Sequence, residues 1–112
     1  MKGTNLGEFE ELVLLTVVIL QEEAYILRIK EELKQQANRS VAMGALHATL
    51  SRLEKKGFLD SELGGATEER GGRRKRIYQL TALGKNVLSE VRQLRDRMWN
   101  QVPKYALEIG FG

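Results

Sequence analysis

The segment Gly71-Gly72-Arg73-Arg74-Lys75-Arg76-Ile77-Tyr78-Gln79-Leu80-Thr81 joins a flexible glycine tip to a run of four consecutive cations. The residues after the cations alternate in the manner of a strand that is buried on one face. A cationic strand beside a glycine-rich turn is typical of a β-hairpin that touches a phosphate backbone. We therefore predict a strand from Arg74 to Leu80. It pairs with a strand from Phe58 to Leu63, across a long turn at residues 64–72.

A helix with a clean stop is predicted directly upstream, in Gly44-Ala45-Leu46-His47-Ala48-Thr49-Leu50-Ser51-Arg52-Leu53-Glu54-Lys55-Lys56-Gly57. Its leucines recur at helical spacing and predict a buried stripe. Ser40 is the predicted N-cap, and Gly57 suits the position just after the helix. A helix that leads into a basic hairpin is the order of a winged helix-turn-helix, whose recognition helix and wing read duplex DNA.

The face of this helix opposite the leucines is small and hydrogen-bonding, which lets a helix enter a groove closely. An ordinary solvated face is the alternative, although such faces usually carry more long charged side chains. We expect contacts with double-stranded DNA from this helix and the wing. The candidates are Ser40, Gly44, His47, Ala48, Ser51, Arg52, Lys55, Arg73, Arg74, Lys75 and Arg76. Tyr25 and Tyr78 are weaker phosphate candidates, because a tyrosine beside a core strand more often only packs.

Two further helices are predicted in the first third of the chain. Residues 8–20 are apolar on most sides, which indicates a helix buried on more than one face. The β-branched Val-Val-Ile run leaves a strand as the rival, but the acidic first turn favours a helix. A second helix is predicted from about Tyr25 to Ala37, ended by Asn38 and Arg39. The fold class is mostly α with a small β-hairpin.

The last predicted helix begins at a Thr81 N-cap and carries one narrow apolar stripe. Spacings of four and three residues approximate a heptad seam. The stripe consists of Leu83, Val87, Val91, Leu94, Met98 and Val102. Most other positions are polar, so the stripe needs a partner: the first helix, or the same helix of a second copy. We divide the chain into a DNA-binding domain at residues 1–81 and a C-terminal dimerisation helix and tail at residues 82–112, interrupted by Pro103.

The charge is distributed unevenly along the 112 residues, whose formal net charge is +3. Residues 1–35 carry four Lys/Arg and seven Asp/Glu, which gives −3. Residues 36–112 carry fourteen Lys/Arg and eight Asp/Glu, which gives +6. The basic excess lies in the half that holds the predicted helix and wing. It favours a polyanionic partner, and an ordinary solvated surface is the other interpretation.

The residue types argue against several functional classes. There is no cysteine, which excludes disulfides and thiolate metal sites, and a single histidine argues against a His-based metal site or a Ser-His-Asp triad. No carboxylates form a recognisable catalytic constellation, so we expect no enzyme, no cofactor and no metal. The apolar run after Glu8 lacks the positive flank of a signal peptide and is too short to span a bilayer, so we expect a cytoplasmic protein without membrane association.

Three segments resemble the PadR family of bacterial transcriptional regulators. Residues 43–59 resemble the family's recognition helix, residues 72–84 its wing and the entry to its terminal helix, and residues 25–33 its second helix. The resemblance covers roughly residues 8–100. His47 and Ala48 stand where the family usually has Tyr and Pro, and Ala24 where it usually has Gly. Often two aromatics end the family's wing strand, but here Ile77 precedes Tyr78.

The resemblance implies a homodimeric repressor with a winged-helix domain and a C-terminal dimerisation helix. Some relatives respond to phenolic or drug-like compounds bound near the dimer interface. In this chain Phe9, Met98 and Trp99 are candidates to line such a pocket for a small aromatic or drug-like effector, with ordinary packing as the alternative. A winged helix used for contacts with protein or RNA remains a further alternative.

Overall fold

The computed structural model describes residues 6–64 and 75–108. Three helices come first, α1 (Glu8–Leu20), α2 (Ile26–Ala37) and α3 (Met43–Lys55), with a short 3-10 turn at Gln21–Glu23 after α1. A two-stranded antiparallel hairpin follows, β1 (Leu59–Leu63) and β2 (Arg76–Leu80), and then α4 (Ala82–Trp99) and the short α5 (Lys104–Glu108). This order is that of a winged helix-turn-helix followed by a terminal helix, which confirms the predicted fold class.

The hydrophobic core lies where α1, α2, α3 and the hairpin converge. Each helix contributes residues at three- and four-residue spacing, because that spacing puts them on one face. The fully buried side chains include Val13, Leu14, Ile29, Leu33, Leu46, Leu50, Leu53 and Leu59. The three leucines of the predicted α3 stripe are among them, so the opposite face of α3 points away from the core.

The segment at residues 8–20 is a helix and not the rival strand. It is buried on more than one face, as predicted, because Val13 and Leu14 are adjacent and both fully buried. Leu15, Val18 and Ile19 remain exposed on α1. The helix therefore presents a second apolar surface, which stays exposed among residues 6–64 and 75–108.

The sequence predicted the C-terminal end of α3 correctly but not the residue that caps its N-terminal end. The helix begins at Met43 with Ala42 in the N-cap position, and no side chain caps it. Ser40 lies two residues before that cap and is exposed, so the predicted capping role was wrong. Gly57 has φ +84 at the other end, and Phe58 N donates to Leu53 O at 3.0 Å. This left-handed glycine ends the helix in the predicted position.

The hairpin packs against the start of α2 as well as against itself. In its register Leu59 lies opposite Leu80 and Leu63 lies opposite Arg76. Tyr78 N donates to Ala24 O at 2.9 Å, so Ala24, which lies just before α2, makes a further hydrogen bond to β2. This bond ties β2 to the segment between the 3-10 turn and α2. Most of the predicted turn at residues 64–72 lies outside the described residues.

The entry to α4 is held by the Thr81 hydroxyl. Its Oγ1 accepts from Gly84 N at 2.9 Å, which confirms the predicted N-cap, and donates to Gly57 O at 2.6 Å. Thr81 N also donates to Phe58 O at 3.1 Å. A Cβ on Gly84 would lie only 2.2 Å from Phe58 O, so only glycine lets the helix approach this closely. The end of α3 and the start of α4 are thereby joined backbone to backbone.

The terminal helix ends at Trp99, three residues short of the predicted end, and Val102 lies in the turn before Pro103. Val87, which the sequence assigned to the partner-facing stripe, is only 4% exposed because it packs into the core of its own chain. The first two turns of α4 are therefore part of the same core as α1 and the hairpin.

We predict that Gly84→Ala destabilises the fold by about 1–3 kcal/mol, because the new methyl group overlaps a backbone oxygen that cannot move aside. The matched control is Gly44→Ala on the exposed face of α3, where a Cβ meets nothing within 4 Å. That change should leave stability unchanged or raise it by up to about 1 kcal/mol. Urea unfolding followed by circular dichroism measures both. Equal stabilities for the two variants would contradict the close approach.

Candidate nucleic-acid interface

The exposed face of α3 carries all the predicted helix candidates. Gly44, Ala48, Ser51 and Lys55 are exposed, and so are His47 and Arg52 on the flanks. The space above Gly44 is open, since a Cβ there would touch nothing. No packing within the chain therefore requires a glycine at this position. Because these residues are small, no long side chain protrudes from the centre of this face. The longer side chains lie along its edges and at its C-terminal end.

Arg52 is tied to the first turn of α1. Its Nε donates to Glu10 Oε2 at 2.9 Å, and its Nη2 donates to Thr49 Oγ1 at 3.3 Å. The side chain is nevertheless 50% exposed. The sequence placed Arg52 on the flank of the recognition surface, and gave no indication of this partner.

Glu10 is the buried carboxylate at the centre of this contact. It is 7% exposed and accepts from Gly7 N at 2.9 Å, from Lys56 Nζ at 3.0 Å and from Arg52. Burial by itself raises the pKa of Glu10, but the hydrogen bonds from Gly7, Arg52 and Lys56 outweigh it and hold the pKa below the ordinary value of 4.5. The carboxylate is therefore ionised at neutral pH and joins α1 to the end of α3.

The end of the hairpin next to the turn carries two of the predicted cations. Lys75 Nζ lies 4.0 Å from the centroid of the Tyr25 ring, in a cation–π contact. Arg76 Nη1 donates to Ser61 Oγ at 3.1 Å. Both cations are thus oriented by the protein at the end of the hairpin next to the turn. Arg73 and Arg74 lie outside the described residues.

The two tyrosine candidates have different surroundings. Tyr25 is half-buried at the N-cap of α2 and supports Lys75, so its ring acts in the structure as a platform for a cation. Tyr78 is only 4% exposed, and burial raises the pKa of its phenol, as does the nearby Glu54 carboxylate. The assignment of Tyr78 as a phosphate contact is corrected, because its side chain belongs to the core.

Ser40 lines a groove that the sequence analysis did not identify. The groove, of about 340 Å³, lies between the outer face of α2 and the segment before α3, and Lys30 and Lys34 also line it. Helical spacing puts these two lysines on one face of α2, but the sequence alone did not indicate that this face adjoins Ser40. The groove adds cations beside the N-terminal end of α3.

The stripe on α4 is mostly uncovered. Leu83, Leu94, Met98 and Val102 are exposed and Val91 is half-buried, whereas Val87 is covered by its own chain. Met98 and Trp99 are 61% and 63% exposed near the end of the helix. Within the described residues, four of the six stripe positions therefore remain exposed.

The three residues proposed for an effector pocket have separate environments. Phe9 packs against the core, and the Arg39 guanidinium lies 5.6 Å from its ring centroid. Met98 and Trp99 project from α4. Two surface clefts in the described part of the chain, one at Ser40 and one at Gln21 and Ile77, include none of the three.

Two further properties concern residues 6–64 and 75–108. Within these ranges no group of three or more His, Asp or Glu residues is arranged to hold a metal ion. No helix in them combines the length and the apolar character that crossing a membrane requires.

Comparison with known proteins gives matches over most of the chain. A sequence model of the Transcriptional regulator PadR-like family matches residues 14–90. A PadR family transcription regulator from Clostridium difficile is 30% identical, with a TM-score of 0.61, and the match covers 90% of this chain and 99% of that one. A PadR-like transcription factor from Bacteroides fragilis is 27% identical, with a TM-score of 0.65, and the match covers 82% and 84%.

A third similar structure is the ORC1 protein of Aeropyrum pernix, solved in complex with DNA. It is 25% identical, with a TM-score of 0.58, and the match covers 80% of this chain and 26% of that protein. The likeness is confined to one part of the larger chain.

We predict that the contribution of Glu10 to stability depends on pH. Because its pKa is lowered in the folded state, the stabilisation is present above about pH 4.5 and is lost as the pH falls through the folded value. At neutral pH, Glu10→Gln should therefore be less stable than the wild type by about 1–3 kcal/mol. The difference in free energy of unfolding between the wild type and Glu10→Gln should disappear in acid.

Urea unfolding of both proteins across the acid range measures this difference. Glu22→Gln removes an exposed carboxylate and serves as the control, which should show a smaller gap at neutral pH. The prediction would be contradicted if the difference in free energy of unfolding between wild type and Glu10→Gln stayed constant down to the lowest pH at which both proteins fold.

Proposed function

This chain belongs to the PadR-like family of transcriptional regulators, and from that premise we propose that it is a sequence-specific DNA-binding regulator, a repressor, that acts as a homodimer. Its partner is double-stranded DNA, and its recognition helix is α3. The DNA-binding unit spans residues 1–81 and the dimerisation unit spans residues 82–112.

The observation that carries this proposal is the exposed face of α3. Three buried leucines hold the helix from behind, and the opposite face carries Gly44, Ala48 and Ser51 with no large side chain among them. The major groove of B-DNA admits an α-helix, and small side chains on the inserted face let the helix lie close to the base edges. A face kept low by small residues and flanked by Arg52 and His47 fits that requirement.

The cations around this face support a polyanionic partner. Lys75 and Arg76 lie at the end of the hairpin next to the turn, and Lys55 lies at the C-terminal end of α3. Arg73 and Arg74 continue the basic run in the sequence. Contacts of this kind position a protein on the phosphate backbone, whereas side chains at the base edges specify the sequence. We assign the first role to the wing and the second to α3.

The exposed stripe of α4 supports the homodimer. Leu83, Leu94 and Met98 lie on one side of a terminal helix, and the neighbouring surface of α1 exposes Leu15 and Ile19. A second copy is the partner that a narrow, heptad-like stripe fits best. Two copies related by a twofold axis would present two recognition helices to successive major grooves.

A ligand-sensing regulator is the second candidate, favoured by the exposure of Met98 and Trp99 at the end of α4. In a dimer, the Met98 and Trp99 side chains of the two copies would come together. They would form an apolar pocket for a small aromatic or drug-like effector. The two functions are compatible, because an effector at the interface would change the spacing of the recognition helices.

We predict that Leu94→Glu converts the dimer to a monomer. Leu94 is half-exposed in the single chain, so the substitution leaves the core intact, but in the dimer it would bury an unpaired charge at a cost of several kcal/mol. Gln93→Glu adds the same charge on the exposed adjacent position and should remain dimeric. Sedimentation equilibrium at micromolar concentration measures both. A monomeric wild type would refute the homodimer.

We predict that Gly44→Leu weakens DNA binding without harming the fold. Open space above Gly44 and the better helix propensity of leucine preserve stability, but the side chain would stand between α3 and the base edges. Duplexes are first selected from a random pool by the wild type, and affinities are then measured for the selected and scrambled duplexes. Gly44→Leu should lose at least about tenfold in affinity, ~1.4 kcal/mol, and Gly44→Ala less.

Two results would count against this assignment. A folded Gly44→Leu protein that binds the selected duplex like the wild type would show that α3 does not enter a groove. A wild type that binds single-stranded RNA in preference to every duplex, and enriches no duplex sequence, would favour the alternative of an RNA or protein interaction module.

A further inference from the structure

We propose that Glu10, on α1 and away from the DNA, is a specificity-determining residue that acts by fixing which edge of the Arg52 guanidinium faces the duplex. The inference rests on the proposed function. It assigns Arg52 as the reader of a guanine on α3, and it assigns Glu10 and Thr49 as the residues that position it.

The geometry of the guanidinium carries the argument. The Nε–H and one N–H of Nη2 point along the same side edge of this planar group. The protein contacts these two nitrogens, at 2.9 Å from Nε to Glu10 Oε2 and at 3.3 Å from Nη2 to Thr49 Oγ1. An arginine has five N–H donors in a rigid fork. With Nε and Nη2 each bonded to the protein, both N–H groups of Nη1 and the second N–H of Nη2 make no bond to a described residue and are available to a partner.

The end of the fork is the part that a base can use. Bidentate contact with guanine O6 and N7 needs two parallel N–H groups held in one plane. Arg52 is 50% exposed although its side edge is bonded, so the rest of the group is accessible to a partner. A guanidinium held in this way approaches a base edge in a defined orientation. An unsupported arginine would bond to any phosphate in reach.

Glu10 is itself held too firmly to follow the movements of Arg52. Its second oxygen, Oε1, accepts from Gly7 N at 2.9 Å and from Lys56 Nζ at 3.0 Å. The residue is buried, and its backbone lies in the first turn of α1. The carboxylate is therefore a fixed acceptor. Because hydrogen bonds to an ionised acceptor are the strong and directional ones, it orients Arg52 more firmly than Thr49 does.

The residues that position Arg52 are also distinct from the residues proposed to contact DNA. Thr49 is 5% exposed and Glu10 is 7% exposed, so neither is placed to touch a duplex. Their substitution should change which base pairs are preferred, through Arg52, and should leave the phosphate contacts of the wing unchanged. A residue with a merely structural role would weaken binding to all duplexes by the same factor.

The test is a double-mutant cycle. The quantity compared is the ratio of affinities for the selected duplex and for its single-base variants. Wild type, Glu10→Gln, Arg52→Ala and the double variant are each measured against the selected duplex and its single-base variants, at concentrations where circular dichroism shows them folded. At one G·C pair the wild type should discriminate by roughly 5- to 150-fold, the range of a bidentate contact. Arg52→Ala should abolish this discrimination, and Glu10→Gln should remove most of it.

The decisive comparison is the effect of Glu10→Gln when Arg52 is absent. If Glu10 acts through Arg52, the substitution should cause no further change of preference in the Arg52→Ala background. The control is Glu11→Gln, which removes a neighbouring α1 carboxylate that pairs with Arg95 of α4 at 2.9 Å. It should keep the wild-type discrimination.

A second variant covers the case in which Glu10→Gln does not fold. Thr49→Val replaces the hydroxyl by a methyl group of similar shape and releases only Nη2, so it should reduce the same discrimination by a smaller factor. The inference is overturned if the folded variants keep the wild-type preference. It is also overturned if they weaken every duplex equally, with or without Arg52, or if Arg52→Ala changes no preference. A wild type that enriches no duplex would instead refute the proposed function itself.

Discussion

The close approach of the first turn of α4 to the carbonyl of Phe58 is the constraint on which the arrangement of the other elements depends. It requires glycine at position 84, and the Thr81 hydroxyl stabilises it by bonding to Gly57 O and Gly84 N. The end of α3, both strands of the hairpin and the start of α4 meet at this point. A change in the direction of α4 would therefore move the recognition helix and the wing together.

A buried carboxylate makes the second connection, and its chemistry is different. Glu10 reaches residues that are 42 and 46 positions away in the sequence, Arg52 and Lys56. Taking a carboxylate out of water is unfavourable, and here three donors offset that cost. The benefit of such a contact is direction more than stability. Ionic hydrogen bonds fix the orientation of the groups they join, whereas an apolar contact in the same place would leave Arg52 free to rotate.

The two connections suggest how the proposed dimer and the proposed DNA contact are related. Exposed apolar residues lie on α1 and α4, and two of the contacts that hold α3 come from the same two helices. An event at the interface that moved α1 relative to α4 would reach α3 through Glu10 and through Thr81. This is the physical route by which an effector bound between two copies would alter DNA binding, because packed helices transmit small shifts without absorbing them.

Local signals in the sequence were sufficient for the elements and for the direction of α3. Leucines at helical spacing located its buried stripe and hence its exposed face, Gly57 located its end, and Thr81 located the start of α4. Each of these depends on residues within one or two turns of each other. The paired recognition-helix and wing segments were also specific enough to indicate the family that the comparisons support.

Contacts between distant segments were decided only by the tertiary structure. Spacing placed Val87 on an apolar stripe, but only the packing of α4 against the core covers it and leaves Leu94 exposed. Composition placed Glu10 in an acidic first turn, but only the crossing of α1 and α3 brings it to Arg52. The physical reason is that periodicity reports which side of an element is apolar, whereas the partner of that side is set by how all the elements pack together.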